Sequence, residues 1–170
     1  PRQGGQYALG NLIADAQRSA GKGDVAIMNN GGIRTELRAG DATYGSLFEL
    51  QPFGNTLYSL TMTGAQLRGL LEAMLSKSGV DDHVSGLTIR FDPSKPKGSR
   101  LVSATMADGT ALNDNKTYNV IVNDFLAKRY WEVHKIRGLH IIYDENRMRM
   151  GRSILSNLLA GTAAIPSQIR

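Results

Sequence analysis

No cysteine occurs in the 170-residue chain. That excludes a disulfide framework, thiolate catalysis and a cysteine-ligated zinc ribbon, and it is compatible with an oxidising compartment. No apolar run approaches the ~20 residues that a membrane helix needs, so no membrane-spanning segment is expected. Histidine is scarce: His83, His134 and His140 are the only three, and none stands in an HExxH or other paired metal-ligand spacing. There is no GxGxxG, no P-loop and no GxSxG elbow. A complete hydrolytic site is therefore not visible, and no metal or cofactor is expected in this chain. The chain opens on Pro1 with no signal-peptide pattern, which predicts a mature or excised piece of a longer product. Internal repeats and low-complexity tracts are absent too.

What is present describes a globular domain. With 41% hydrophobic and 21% charged residues, the chain can bury a real core. Its net charge of +5 is unevenly placed. Residues 1–127 hold 12 Lys/Arg and 12 Asp/Glu, whereas residues 128–170 hold 8 and 3. The excess is confined to the last quarter and forms no basic stripe across the fold, so nucleic acid ranks last among possible partners.

The apolar spacing then divides the chain. Leu9, Leu12, Ile13 and Ala16 recur at helical period, with Gly21 and Gly23 as the stop. Asp24 to Met28 reads as a buried strand, Tyr44 to Leu50 as a short helix whose apolar residues are Leu47, Phe48 and Leu50, and Thr56 to Thr61 as an alternating strand. Thr63 and Gln66 make a capping-box pattern ahead of Leu67, Leu70, Leu71, Met74 and Leu75. Strands follow at Leu87 to Phe91, Leu101 to Met106 and Thr117 to Val122, and Ile154 to Leu159 reads as a further helix. The mixture predicts an α/β or α+β domain, single and mixed, with helices packed on a mixed β-sheet.

Three segments at strand ends could carry chemistry: Asn29–Arg34 (NNGGIR), Gln51–Asn55 (QPFGN) and Asn123–Ala127 (NDFLA). Paired glycines let backbone approach a ligand, and Arg34 behind them offers a planar fork of donors. Phe53 and Phe125 could sandwich a flat ring, with Asn29 and Asn55 supplying amide groups for its edge. Each element alone has a plainer reading: a turn, a core anchor, a solvated arginine. Asp81-Asp82-His83 reads as a solvated loop in preference to a cation site.

Together the segments point further. ALGNLIADA (8–16), NNGGIR (29–34), GDATYGSLFELQPFGNTL (40–57), MTGAQLRGLLE (62–72) and TYNVIVNDFLA (117–127) resemble, in order, the C-terminal domain of the bacterial 5′-nucleotidase family. That family includes UDP-sugar hydrolases and 2′,3′-cyclic-nucleotide phosphodiesterases. The resemblance implies a nucleoside- or nucleotide-binding domain that partners a separate N-terminal metallophosphatase domain holding two divalent metal ions. It implies that Phe53 and Phe125 stack on the base and that Arg34, Asn29 and Asn55 contact substrate. It also sets Arg2 beside a substrate-contacting arginine, offset by one residue. It implies a periplasmic, secreted or cell-surface location.

The match covers residues 1–127, the domain core, and then breaks. Where the family continues with a GGDGY-like run whose aspartate holds the ribose, this chain reads Lys128-Arg129-Tyr130-Trp131-Glu132-Val133. Residues 128–170 form a divergent basic segment. A competing expectation is therefore a non-catalytic interaction module that has lost the nucleoside site, with Tyr130 and Trp131 filling it.

Overall fold

A computed structural model describes residues 4–134 and 139–140. Arg2 and the expected helix at Ile154 to Leu159 lie outside the described residues, as does the side chain of Trp131.

The chain runs α1 (Ala8–Gly21), β1 (Val25–Met28), a 3-10 turn (Asn30–Gly32), α2 (Tyr44–Leu50), β2 (Leu57–Thr63), α3 (Gly64–Ala73), β3 (His83–Ser85), β4 (Leu87–Phe91), β5 (Leu101–Met106), β6 (Thr117–Asn123), α4 (Asp124–His134) and β7 (Leu139–His140). Five strands make one mixed sheet in the order β3-β1-β6-β2-β7, and β4 pairs with β5 in a separate two-stranded sheet. Among the described strands only β1 and β6 run parallel; the other neighbours are antiparallel. The mixed α/β class expected from the sequence is the class observed.

Val25 to Met28 are all buried because β1 is covered on both faces, which is why it reads as an unbroken apolar run. Val25 and Ile27 pack with Leu67, Leu70 and Leu71 of α3 and Leu126 of α4. Met28 points the other way, into a cluster with Ile13, Ala14 and Ala16 of α1 and Leu47 and Leu50 of α2. The period of two along β1 thus divides the core into two layers. Both capped helices begin on reciprocal bonds. Thr63 Oγ1 accepts from Gln66 N at 3.2 Å while Gln66 Oε1 accepts from Thr63 N at 2.8 Å. Thr43 and Ser46 repeat the arrangement at α2, a box that leans on serine and so lacked the usual Glu/Gln signal.

Two expectations need correction. The α1 stop is made by Lys22, which takes a left-handed φ of 52°. Gly21 and Gly23 instead admit Ile121 of β6: a Cβ on either would sit 2.7 or 2.4 Å from that side chain. On α2 the apolar residues divide between two faces. Leu47 and Leu50 face inward, while Phe48 is 56% exposed beside Tyr44, their rings stacked at 6.5 Å. Asp81-Asp82-His83 is not a solvated loop, because His83 opens β3 and is fully buried.

His83 meets the Tyr7 ring edge-on at 4.4 Å, and its ring nitrogens face Asn11 Oδ1 at 3.3 Å and Asn30 Oδ1 at 2.8 Å. Gly10 leaves the room for it: a Cβ there would lie 2.3–2.4 Å from three His83 ring atoms. Gly10→Ala is accordingly expected to destabilise the fold by ~1–3 kcal/mol through overpacking. It should lower the urea midpoint at constant m-value; an unchanged midpoint would show that the ring is not tightly held.

Candidate functional site

Strand register gathers the three segments at one edge of the sheet. In the parallel pair Ala26 lies opposite Ile121, so β1 and β6 end side by side. In the antiparallel pair Leu57 lies opposite Asn123, so β2 begins where β6 ends. NNGGIR therefore leaves β1, QPFGN enters β2 and α4 leaves β6 at the same place. Asn123 passes straight into α4, with Asp124 in its first turn. The segment read from sequence as a strand end is in fact a strand–helix junction.

Under this edge lies a layer of buried amides. Asn123 Nδ2 donates to Asn29 Oδ1 at 2.7 Å, and Asn123 Oδ1 accepts from Leu126 N at 2.8 Å. Gln51 Nε2 donates to the Gly32 carbonyl at 3.3 Å. The amides of Gln17, Gln51 and Asn123 all approach the Met28 sulfur, at 3.1, 3.8 and 3.8 Å. A polarizable thioether suits this position, since it is both apolar filler and weak acceptor. Gly32 lies tight on it: a Cβ would come 2.4 Å from the Met28 methyl. Asn29 is buried and belongs to this foundation. Gln51 and Asn123 open two of the segments singled out in the sequence but had no role of their own there, and nothing flagged Gln17, because a lone amide in a loop or strand end looks like a solvated residue.

Above the layer the surface is aromatic. Phe53 and Phe125 are 56% and 57% exposed, so neither is a core anchor. The exposed Arg34 guanidinium lies 5.7 Å from the centroid of the Phe53 ring, within cation–π range. Its Nη1 donates to the Gly31 carbonyl at 3.3 Å, and its backbone N–H donates to the Leu50 carbonyl at 3.0 Å. Gly54 turns the chain after Phe53 with φ 59°, a conformation that other residues adopt at a cost. Asn55 Nδ2 donates to Asp124 Oδ1, which also accepts from Phe125 N at 3.1 Å. The Asp124 backbone N–H donates to the Thr56 carbonyl at 2.9 Å. Four of the six residues expected to bind substrate, Arg34, Phe53, Asn55 and Phe125, thus line one edge, with Asn29 beneath them.

The NNGGIR segment is fixed from its far side as well. Asn30 Nδ2 donates to the Asp81 carbonyl. Desolvation raises the Asp82 carboxyl above its usual range, opposed by the Asn30 backbone N–H and by Arg129 and reinforced by Asp81. Tyr130 is buried in the main core cluster, and burial pushes its hydroxyl pKa upward. Among the described residues no three His, Cys, Asp or Glu side chains converge as a metal site, and no helix is long and apolar enough to cross a membrane.

A family model described as the 5′-nucleotidase C-terminal domain matches residues 1–132. A second, described as glycosyl transferase family 1, matches residues 100–170, less than half of the chain and partly the same residues. The chain is 44% identical over 124 residues to the endonuclease YhcR of Bacillus subtilis, covering 72% of this chain and 10% of that protein. It is 39% identical over 132 residues to the cell wall protein Lmo0130 of Listeria monocytogenes, covering 69% and 17%. The crystal structure of a 5′-nucleotidase precursor from Thermus thermophilus superposes with a TM-score of 0.74 at 30% identity, covering 89% of this chain and 32% of that one. The chain thus spans about a tenth to a sixth of the length of these two curated relatives.

Proposed function

The chain belongs to the 5′-nucleotidase C-terminal domain family, and from that membership we propose that it is the nucleoside-recognition part of a phosphoester hydrolase. The base of a nucleotide lies between Phe53 and Phe125, Arg34 reaches its anionic or hydroxyl groups, and Asn29, Asn55 and Arg2 complete the contacts. Hydrolysis belongs to a separate metallophosphatase domain with two divalent ions. The observation that carries the reading is the convergence of two exposed phenylalanines, on segments distant in sequence, at one sheet edge. Aromatic side chains that far into solvent contribute little to a core and much to a stacking platform. A location outside the cytoplasm accords with the cell-wall relative and with the lack of cysteine.

Calorimetric titration tests the proposal. AMP and adenosine are expected to bind the full chain, and ribose 5-phosphate is expected to bind far more weakly, because it offers nothing to stack. Equal affinity for the three would remove the base-stacking reading. Pure protein with Mn²⁺ is expected to leave AMP intact; turnover comparable with that of a two-domain 5′-nucleotidase would remove the division of labour.

The alternative, an interaction module whose nucleoside site is filled by the divergent segment, requires bulky residues between the phenylalanines. Tyr130 packs instead with the core cluster that includes Val122, Leu126 and Ala127, which favours the nucleoside reading.

A further inference from the structure

Asp124 belongs to none of the substrate-contacting positions, yet it joins the two phenylalanine-bearing segments through both its side chain and its backbone. Its Oδ1 takes two donors, the Asn55 side-chain amide and the Phe125 backbone N–H. Its own N–H holds the Thr56 carbonyl at 2.9 Å. Phe125 is its neighbour on a helix that grows directly from β6. Phe53, by contrast, sits on a turn in which Pro52, Phe53 and Gly54 are all exposed. Gly54 is in the left-handed region with no atom within 4 Å of where its Cβ would be, so packing does not hold that turn. Asn55, the first residue after it, is where the turn is tied down.

We infer that Asp124 is a positioning residue that sets the spacing between the Phe53 and Phe125 rings by holding Asn55. The inference rests on the nucleoside reading for its purpose but not for its geometry. An ionised carboxylate only accepts hydrogen bonds. Asp124 therefore fixes the orientation of the Asn55 amide, with Nδ2 turned toward the helix and Oδ1 turned away. One oxygen shared by the Phe125 amide and the Phe53 turn makes the two rings move as a pair. A ring that must be met on both faces at once gains most from walls whose separation is set beforehand.

Fluorine NMR of the full chain labelled with 4-fluorophenylalanine reads this directly, since the sequence has only four phenylalanines: Phe48, Phe53, Phe91 and Phe125. Asn55→Ala is expected to move the Phe125 resonance, and Asp124→Ala the Phe53 resonance. The Phe91 line on β4 should stay in place and so report an intact fold. Asp124→Asn, which still presents an accepting oxygen, should return both lines close to their wild-type positions. Asp124→Ala is expected to weaken AMP binding about fivefold to tenfold, and Asp124→Asn less than about twofold. Asn55→Ala lies on the surface turn and keeps the test informative should Asp124→Ala fold poorly. If Asn55→Ala leaves the Phe125 line where it was, the coupling is absent and the inference is overturned. Reciprocal shifts in a protein that binds no AMP would uphold the coupling and remove the nucleoside reading instead.

Discussion

Phe53→Ala and Phe125→Ala are each expected to weaken AMP binding by about fivefold to a hundredfold, the range that follows from ~1–3 kcal/mol per stacked base. Both rings are more than half exposed, so truncation removes little core packing, and each variant should melt near the wild-type temperature. That separates a binding defect from a folding defect. The two effects should not be equal. Phe125 stands on the first turn of α4, whose start is held by Asn123 and Asp124, whereas Phe53 stands on an exposed turn and faces the equally exposed Arg34 guanidinium. Loss of the fixed wall should leave the hinged one without a counterpart, so Phe125→Ala is expected to be the more damaging. The double variant should then cost less than the product of the singles, because one remaining face stacks poorly alone. Calorimetric titration of the four proteins with AMP measures this cycle. Wild-type affinity in both single variants would remove stacking as the basis of recognition.

The second large effect is on stability. Asn123→Leu is expected to destabilise the fold by ~2–4 kcal/mol, because it orphans two buried partners at once, Asn29 Oδ1 and the Leu126 N–H. Leucine keeps the branched skeleton of asparagine but its methyl groups need more room, so overpacking adds to the lost hydrogen bonds. Chemical denaturation checks the magnitude. A change below about 0.5 kcal/mol would mean that the amide layer contributes no more than an ordinary surface contact. Because Asn29 begins the NNGGIR segment, the same variant should also loosen the substrate edge and lower AMP affinity.

The strands and their neighbours were legible wherever burial imposes a period. The Val25–Met28 run, the Thr63–Gln66 box and the β4–β5 pair could all be read from spacing alone. α4 was not, since it follows β6 with no turn residue between. Asp124 signals a helix start, but Phe125 looks like a continuation of the strand. β3 is three residues long and too short for any period to register. The inner face of α2 was not legible either, because apolar residues on a helix of about two turns do not reveal which of two faces is the inner one. The candidate site was legible in its exposed members because the ordered motifs name them. Its foundation was not. Asn123, Gln51 and Gln17 are polar residues placed where polar residues usually meet water, and only the fold shows that they meet one another and the Met28 sulfur.

The strand order has a bearing on how this domain behaves in company. Its two seven-residue strands, β2 and β6, lie inside the described sheet, while the outer positions fall to β3 with three residues and β7 with two. Unpaired backbone at a sheet margin is a template on which another chain can add itself, and brevity is one of the ways that proteins blunt it. Through Leu139 and His140 alongside Leu60 and Ser59, the chain beyond α4 thus supplies a shield for one of the two longest strands in the described sheet.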